Sequence, residues 1–334
     1  ARTGEDNGDA FGHGRGSLLR AKTAAVPRVT WYEGRRLRRD AQNLAIFPAM
    51  EQVAVCSWSL QPTGPGDLVD KVRRCGVGAV QLALDPVRSG AWSEAETISL
   101  LRAAGIGIVS GMMGTIGEDY STLETIRETG GVRLDANWEA NREAAQAVAA
   151  MARRVGLSLV TFHAGFLPHE AGDPVRAIML ERLRAIGEIF ASEGVGLALE
   201  TGQEDAAMLV AVLDELAKMG CHVGVNFDPA NMILYGMGDP LAALALLAPH
   251  VRQIHVKDAI ASAHPGSWGE EVVVGTGAVA WREFFVLVRE RCGGVGLVIE
   301  REAGTRRVED VIAARQLVEA IGPRTSARQE HGRG

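Results

Sequence analysis

Long apolar runs are missing from this 334-residue sequence. None approaches the roughly 18 residues that a membrane-spanning helix requires, so nothing in it reads as crossing a bilayer. Cysteine is scarce: Cys56, Cys75, Cys221 and Cys292 are widely spaced, with no C-x-x-C pair. That argues against a zinc knuckle and against a disulfide framework, and implies a reducing, cytoplasmic setting. A basic surplus is also missing. The first 49 residues hold 9 Lys/Arg against 5 Asp/Glu, and the remainder hold 26 against 36. A surface that acidic repels a phosphate backbone, so nucleic acid is not the expected partner. No G-x-G-x-x-G follows the first apolar run, which removes the usual mark of an open, doubly wound dinucleotide-binding sheet.

What the chain does have is hydrophobic residues, 47% of the total, arranged in a repeating order. Eight short apolar runs read as buried strands: residues 53–58, 79–84, 106–112, 157–163, 195–200, 222–228, 252–257 and 295–300. Between them lie stretches with apolar residues at helical spacing, such as NREAAQAVAAMARRVG, and several strands follow a glycine turn of the helix-stopping kind, as in CGVG, AGIG and EGVG. Eight such units with a final helix predict an α/β fold, a closed (β/α)8 TIM barrel forming one catalytic domain over residues 50–322. Residues 1–49 lack the periodicity and are expected to be a disordered extension, and residues 323–334 a frayed tail. Arg38 and Arg39 precede a mildly apolar segment in the manner of a twin-arginine export signal. Glu51 interrupts that segment and no A-x-A cleavage site follows, so an upstream extension is the simpler reading.

Four runs end in a potential metal ligand: VGLALE in Glu200, HVGVNFD in Asp228, VRQIHVKD around His255, and VGLVIE in Glu300. In a parallel barrel the strand C-termini gather on one rim, which is where active sites lie. Each alone is compatible with a solvated rim residue. Together, at spacings of 28, 27 and 45 residues, they predict one divalent-cation site. Three carboxylates and one imidazole form a hard ligand set, which puts Mn2+ first, with Mg2+, Co2+ or Zn2+ as alternatives. Strand parity places His255 and Lys257 on one inward face, with Asn226 beside Asp228, Glu300 beside Glu302, and Thr161 beside His163.

Around this set, His163 is expected at the rim as a substrate contact or as support for Glu200, the alternative being a core histidine bonded to a backbone carbonyl. Lys257 either pairs with Asp258 or faces the substrate. The long segment after the seventh strand, with Trp268, is expected to be a lid, and Trp58 an apolar wall for a sugar face or ordinary packing. GTG at 275–277 reads as a turn into the next helix rather than a phosphate cradle.

These motifs, LALE, NFDPAN, IHVKD, GTGAVAW and VIERE, resemble those of the xylose isomerase-like barrel superfamily over roughly residues 51–322. Keto-sugar 3-epimerases of that kind hold one divalent ion with a Glu-Asp-His-Glu set, which by resemblance falls on Glu200, Asp228, His255 and Glu300. VTFHAGF also resembles the strand-4 histidine motif of endonuclease IV, a barrel with three zinc ions, but Asn231 and SWGEEVVVG lack its further ligands. Asn231 stands where the 3-epimerases have histidine, and KDAIASA lacks their substrate-binding arginine; Asn231 is taken as a substrate contact.

The resemblance implies a metal-dependent sugar isomerase or epimerase working through an enediolate, with Glu200 and Glu300 as base and acid. Its partner would be a small sugar or keto-polyol, unphosphorylated for want of a phosphate motif. Neither a nucleic acid nor a membrane is expected as partner. A homo-oligomer through the outer helices is compatible with such a barrel. Two alternatives stay open: a keto-sugar or inosose lyase or dehydratase on the same metal site, and a catalytically inactive sugar-binding barrel.

Overall fold

The structure is a computed structural model, and it describes residues 53–322 apart from Pro265. The extension expected over 1–49 and the tail expected over 323–334 lie outside the described residues.

Each of the eight apolar runs forms a strand. They are β1 (Ala54–Cys56), β2 (Ala79–Ala83), β3 (Gly107–Met112), β4 (Leu159–Phe162), β5 (Gly196–Glu200), β6 (Gly224–Phe227), β7 (Val251–Val256) and, after an antiparallel hairpin of β8 (Asp258–Ile260) and β9 (Glu270–Val272), β10 (Gly296–Ile299). The barrel strands are parallel and close in the order β1-β10-β7-β6-β5-β4-β3-β2. Helices alternate with the strands and cover the outside, so the TIM-barrel expectation holds. No helix among the described residues is long and apolar enough to cross a membrane.

Alternation along each strand divides the molecule into two environments. Residues turned outward, such as Val55, Val80, Ile254, Val256 and Ile299, pack against helix residues such as Val72, Val148, Leu213 and Phe284 in one continuous apolar core. Residues turned inward fill the barrel. At one level Ala54, Cys56, Ala79 and Val298 form a small apolar plug with Trp58 packed on it. Buried polar side chains, Gln81, Ser110, Thr161, Asn226 and Gln253, occupy the barrel as well. Register places Asn226 between Glu200 and Gln253 on neighbouring strands, and His255 beside Val298. Ladder irregularities fall between Val80 and Gln81 and between Val225 and Asn226, each beside one of these polar residues. Such bulges re-aim side chains.

The helices stop where the sequence demands it. Residues Pro65–Cys75 and Asp135–Val155 form helices that end on Gly76 (φ 68°) and Gly156 (φ 81°), left-handed positions that glycine adopts without steric strain. The short connections that follow return the chain to the barrel, so every strand C-terminus faces the same rim.

Candidate functional site

Glu200 ends β5, Asp228 follows β6, His255 lies in β7 and Glu300 follows β10. The barrel brings all four together: a ligand atom from each lies within 4.8 Å of every other. All are buried, Asp228 and His255 completely. The imidazole Nδ1 lies 3.2 Å from Glu300 Oε2, 3.4 Å from Glu200 Oε1 and 3.8 Å from Asp228 Oδ2.

The surroundings fix each carboxylate. Glu300 accepts from Trp58 Nε1 (2.8 Å) on one oxygen and from Lys257 Nζ (3.0 Å) on the other. Glu200 accepts from Asn226 Nδ2 and from Asn231 Nδ2, both at 3.0 Å. Asp228 caps the helix Pro229–Leu234, its Oδ1 accepting from the amides of Ala230 (2.8 Å) and Asn231 (3.1 Å). Its Oδ2 is buried with no hydrogen-bond partner. That oxygen faces two further carboxylates, with the His255 and Lys257 nitrogens each 3.8 Å away and beyond hydrogen-bond reach, an arrangement that is costly unless a closer cation meets it. The donor set therefore fits a divalent ion.

Burial pushes Asp228 up to about 6 despite Lys257 nearby. Burial also opposes ionisation of Glu300, but Lys257 and His255 hold it well below the usual carboxylate range. Glu200 is lowered as well, burial being outweighed by His255 and His163. For His255, burial is outweighed by Cys56, by the Glu300 and Glu200 carboxylates and by Asp228, which carry the imidazole upward.

Lys257 points inward as parity predicts, and it does not pair with Asp258. Its ammonium donates to Glu300, to Glu302 Oε2 (2.5 Å) and to Asn231 Oδ1 (3.3 Å). Asp258 instead accepts from the amides of Gly275, Gly277 and Val279 and from Trp281 Nε1, at 2.8–3.1 Å. The GTG segment is thus a turn wrapped round an internal carboxylate. The segment expected as a lid, residues 258–281, opens with the β8–β9 hairpin, and Glu271 in β9 binds Arg301 and the amides of Glu302 and Ala303.

His163 stands beside Glu200, Nε2 to Oε1 3.8 Å, and its Nδ1 is buried without a partner, which removes the backbone-bonded core reading. Its strand runs into a loop that crosses another at close range. Gly165 has φ +89°, and a Cβ there would lie 2.2 Å from Gly130 O. Trp58 reaches the centre itself, its ring centroid 6.2 Å from that of His255. Trp268 instead stacks edge-on against Tyr235 at 4.8 Å, and Tyr235 in turn meets Phe166 at 5.7 Å. Tyr120 lies edge-on to His163 at 6.4 Å.

Sequence reading missed Tyr120, Phe166, Tyr235, Gln81 and Gln253. The glutamines carried a signal, being amides at inward parity inside apolar strands. The aromatics carried none, since their placement depends on loop geometry.

A family model described as xylose isomerase-like TIM barrel matches residues 69–321. The chain belongs to that family. Among solved structures, a xylose isomerase domain protein from Planctomyces limnophilus is 29% identical with a TM-score of 0.72, covering 80% of this chain and 95% of its own. The probable 3-DHS dehydratase AsbF of Bacillus anthracis shares the fold at 17% identity, TM-score 0.62, covering 80% of this chain and 99% of that one. A D-allulose 3-epimerase from Methylomonas sp., solved with D-allulose, does so at 15% identity and TM-score 0.61, covering 82% and 98%. A curated relative, the uncharacterised protein YihM of Escherichia coli (strain K12), is 28% identical over 127 residues, 37% of either chain. The dehydratase and epimerase structures share the fold with this chain, and what this chain does rests on its own site.

Proposed function

We propose that the protein is a divalent-metal-dependent isomerase or epimerase acting on an unphosphorylated keto-sugar or polyol ketone. The observation that carries this is the convergence of ligand atoms of Glu200, Asp228, His255 and Glu300 within 4.8 Å of one another, one Asp228 oxygen among them having no hydrogen-bond partner. These four residues hold the ion, Mn2+ by first preference for a hard, carboxylate-rich set. When bound, the ion supplies Lewis acidity that polarises a substrate carbonyl and makes the neighbouring C–H acidic.

The proton moves between substrate and glutamates. Glu200 and Glu300 stand on β5 and β10, with β6 and β7 between them, so they reach the centre from different directions. One carboxylate removes the proton α to the carbonyl; the C–H pair becomes the C=C of an enediolate and the carbonyl oxygen takes the charge. The other glutamate, ionised in the empty site, must first take up a proton; it then delivers that proton to the opposite face, which inverts the carbon. Return to the adjacent carbon isomerises instead. Asn226 and Asn231 orient Glu200, while Trp58 and Lys257 orient Glu300. Three contacts occupy the protons of the Lys257 ammonium, and the partner most open to replacement by a substrate oxygen is Glu302, whose side chain is 54% exposed.

Charge and shape narrow the substrate. Lys257 is already neutralised by Glu300 and Glu302, and Arg301 by Glu271 and Asp310. An acidic site with committed cations disfavours a phosphate ester and suits an uncharged polyol. The Trp58 ring, beside His255, is the aromatic surface nearest the centre and suits the C–H face of a sugar.

The test is incubation of the Mn2+-loaded protein in D2O with unphosphorylated ketoses and inososes, followed by mass spectrometry and product analysis. Deuterium at the carbon next to the carbonyl, with an epimer or isomer as product, is expected. Loss of water or of a glycosyl group would assign the protein to the lyase class, and no exchange with any member of the panel would support a non-catalytic barrel.

A further inference from the structure

We propose that Gln81 is a positioning residue that fixes the tautomer of His255: its amide oxygen holds a proton on Nε2, leaving Nδ1 as the nitrogen that takes an ion. This deepens the metal reading of the site and rests on it.

The assignment follows from a chain of amides anchored at a group that only accepts. Glu200 Oε2 is a carboxylate oxygen, so the Asn226 atom facing it at 3.0 Å is the NH2 group. Asn226 Oδ1 therefore faces Gln253, which presents its own NH2 at 3.2 Å. That NH2 also donates to the oxygen of Gln81 at 3.0 Å, with Ser110 Oγ donating to Gln253 Oε1 at 2.5 Å. The orientation of Gln81 is fixed independently from its other end, where its nitrogen donates to Thr161 Oγ1 (2.8 Å) and to the Gly111 carbonyl (3.4 Å). Both ends agree that the Gln81 oxygen faces His255 Nε2, at 2.7 Å. Two acceptors cannot face each other at that separation, so Nε2 carries hydrogen.

Two neighbouring contacts are consistent with this. Asn226 Nδ2 lies 3.1 Å from His255 Nε2, but one of its protons is committed to Glu200 Oε2, and the nearer contact to Nε2 is the Gln81 oxygen at 2.7 Å. Cys56 Sγ lies 3.7 Å from Nε2 and, with His255 and Glu300, forms a second cluster of possible ligands. With Nε2 protonated on Gln81, the thiol cannot share a metal with that nitrogen. Nδ1 faces the three carboxylates and is the nitrogen left for the ion. A ligating histidine ordinarily donates its other N–H to a fixed acceptor, and removing that acceptor lowers metal affinity about 10–100-fold. Here the acceptor is an amide on β2, held by residues of β3, β4 and β7.

The experiment uses the full chain labelled with 15N-histidine, with Mg2+ as the diamagnetic probe for nitrogen spectra and Mn2+ for affinity by electron paramagnetic resonance. In the Mg2+-loaded wild type, the resonance that disappears in His255→Asn should show a protonated Nε2 and an unprotonated Nδ1. Gln81→Leu should lose the protected Nε2–H and bind Mn2+ about 10–100-fold more weakly. Gln81→Glu, which keeps an acceptor oxygen, should restore both. A wild-type spectrum with hydrogen on Nδ1, or a folded Gln81→Leu with unchanged Mn2+ affinity, overturns the inference and leaves the metal centre standing. Should the leucine variant not fold, the wild-type spectrum decides alone. A wild type that binds no Mn2+ overturns the metal centre and this inference together.

Discussion

At the scale of single residues, the decisive groups are carboxylates whose roles differ by surroundings. Glu200→Gln and Glu300→Gln keep shape and remove charge. Each is expected to lower deuterium exchange by about 10²–10⁴-fold, the usual weight of a positioned acid or base, measured with metal at saturation to separate proton transfer from binding. Glu204 offers a test away from the centre. It is buried, accepts from Leu167 N at 2.5 Å, has His169 Nε2 3.3 Å away, and burial pushes its pKa up to about 8 from 4.5. A raised carboxyl binds its proton more tightly folded than unfolded, so its stabilisation is complete below about 4.5 and is lost as pH rises through about 8. Glu204→Gln should therefore leave Tm unchanged near pH 4.5 and raise it at pH 8, by differential scanning calorimetry. An equal shift at both values would refute the titration. Glu200, Asp228, His255 and Glu300 were legible from sequence because each ends an apolar run. Gln81 and Gln253 were passed over because a lone amide inside a strand has a meaning only once its cross-barrel partner is known. The partner of Lys257 was hidden for the same reason, lying 43 residues away at Glu300.

At the scale of elements, the strand ends supply the ligands and the loops supply everything that shapes access to them. Strand positions were readable from apolar runs, and inward parity was readable from the period of two, as Val256 in the outer core and His255 inside the barrel show. Loop geometry was not. The turn at 275–277 gave a glycine signal but not the buried carboxylate it wraps, because Asp258 reaches it from 17 to 23 residues upstream. Asp258→Ala would leave buried amides and an indole N–H without acceptors, each costing about 1–3 kcal/mol. Urea unfolding should show a loss of at least about 2 kcal/mol, and hydrogen exchange should show the amides of Gly275, Gly277 and Val279 losing protection. Unchanged protection would mean that the turn holds itself without the carboxylate.

At the scale of the whole molecule, the eight-fold alternation of strand and helix made the barrel legible, since closure follows from parallel strands with amphipathic helices between them and needs no rare residue. The same closure is what gathers residues from positions 200 to 300 into one buried cluster. On the proposed metal reading, binding and folding are linked, because an ion held only by the folded barrel stabilises it. At a free ion concentration of 100 times Kd the linkage amounts to about 2.7 kcal/mol. That corresponds to roughly 5–10 °C in Tm for a domain of this size, lost on adding a chelator. Asp228→Asn should abolish most of this shift while leaving the barrel folded. The central claim, one divalent ion held by four strand ends, is tested most directly by a manganese-edge anomalous difference map from crystals grown with Mn2+. The account predicts a single peak about 2.0–2.4 Å from Glu200, Asp228 and Glu300 oxygens and from Nδ1 of His255. An empty centre, or a peak elsewhere in the barrel, would contradict it.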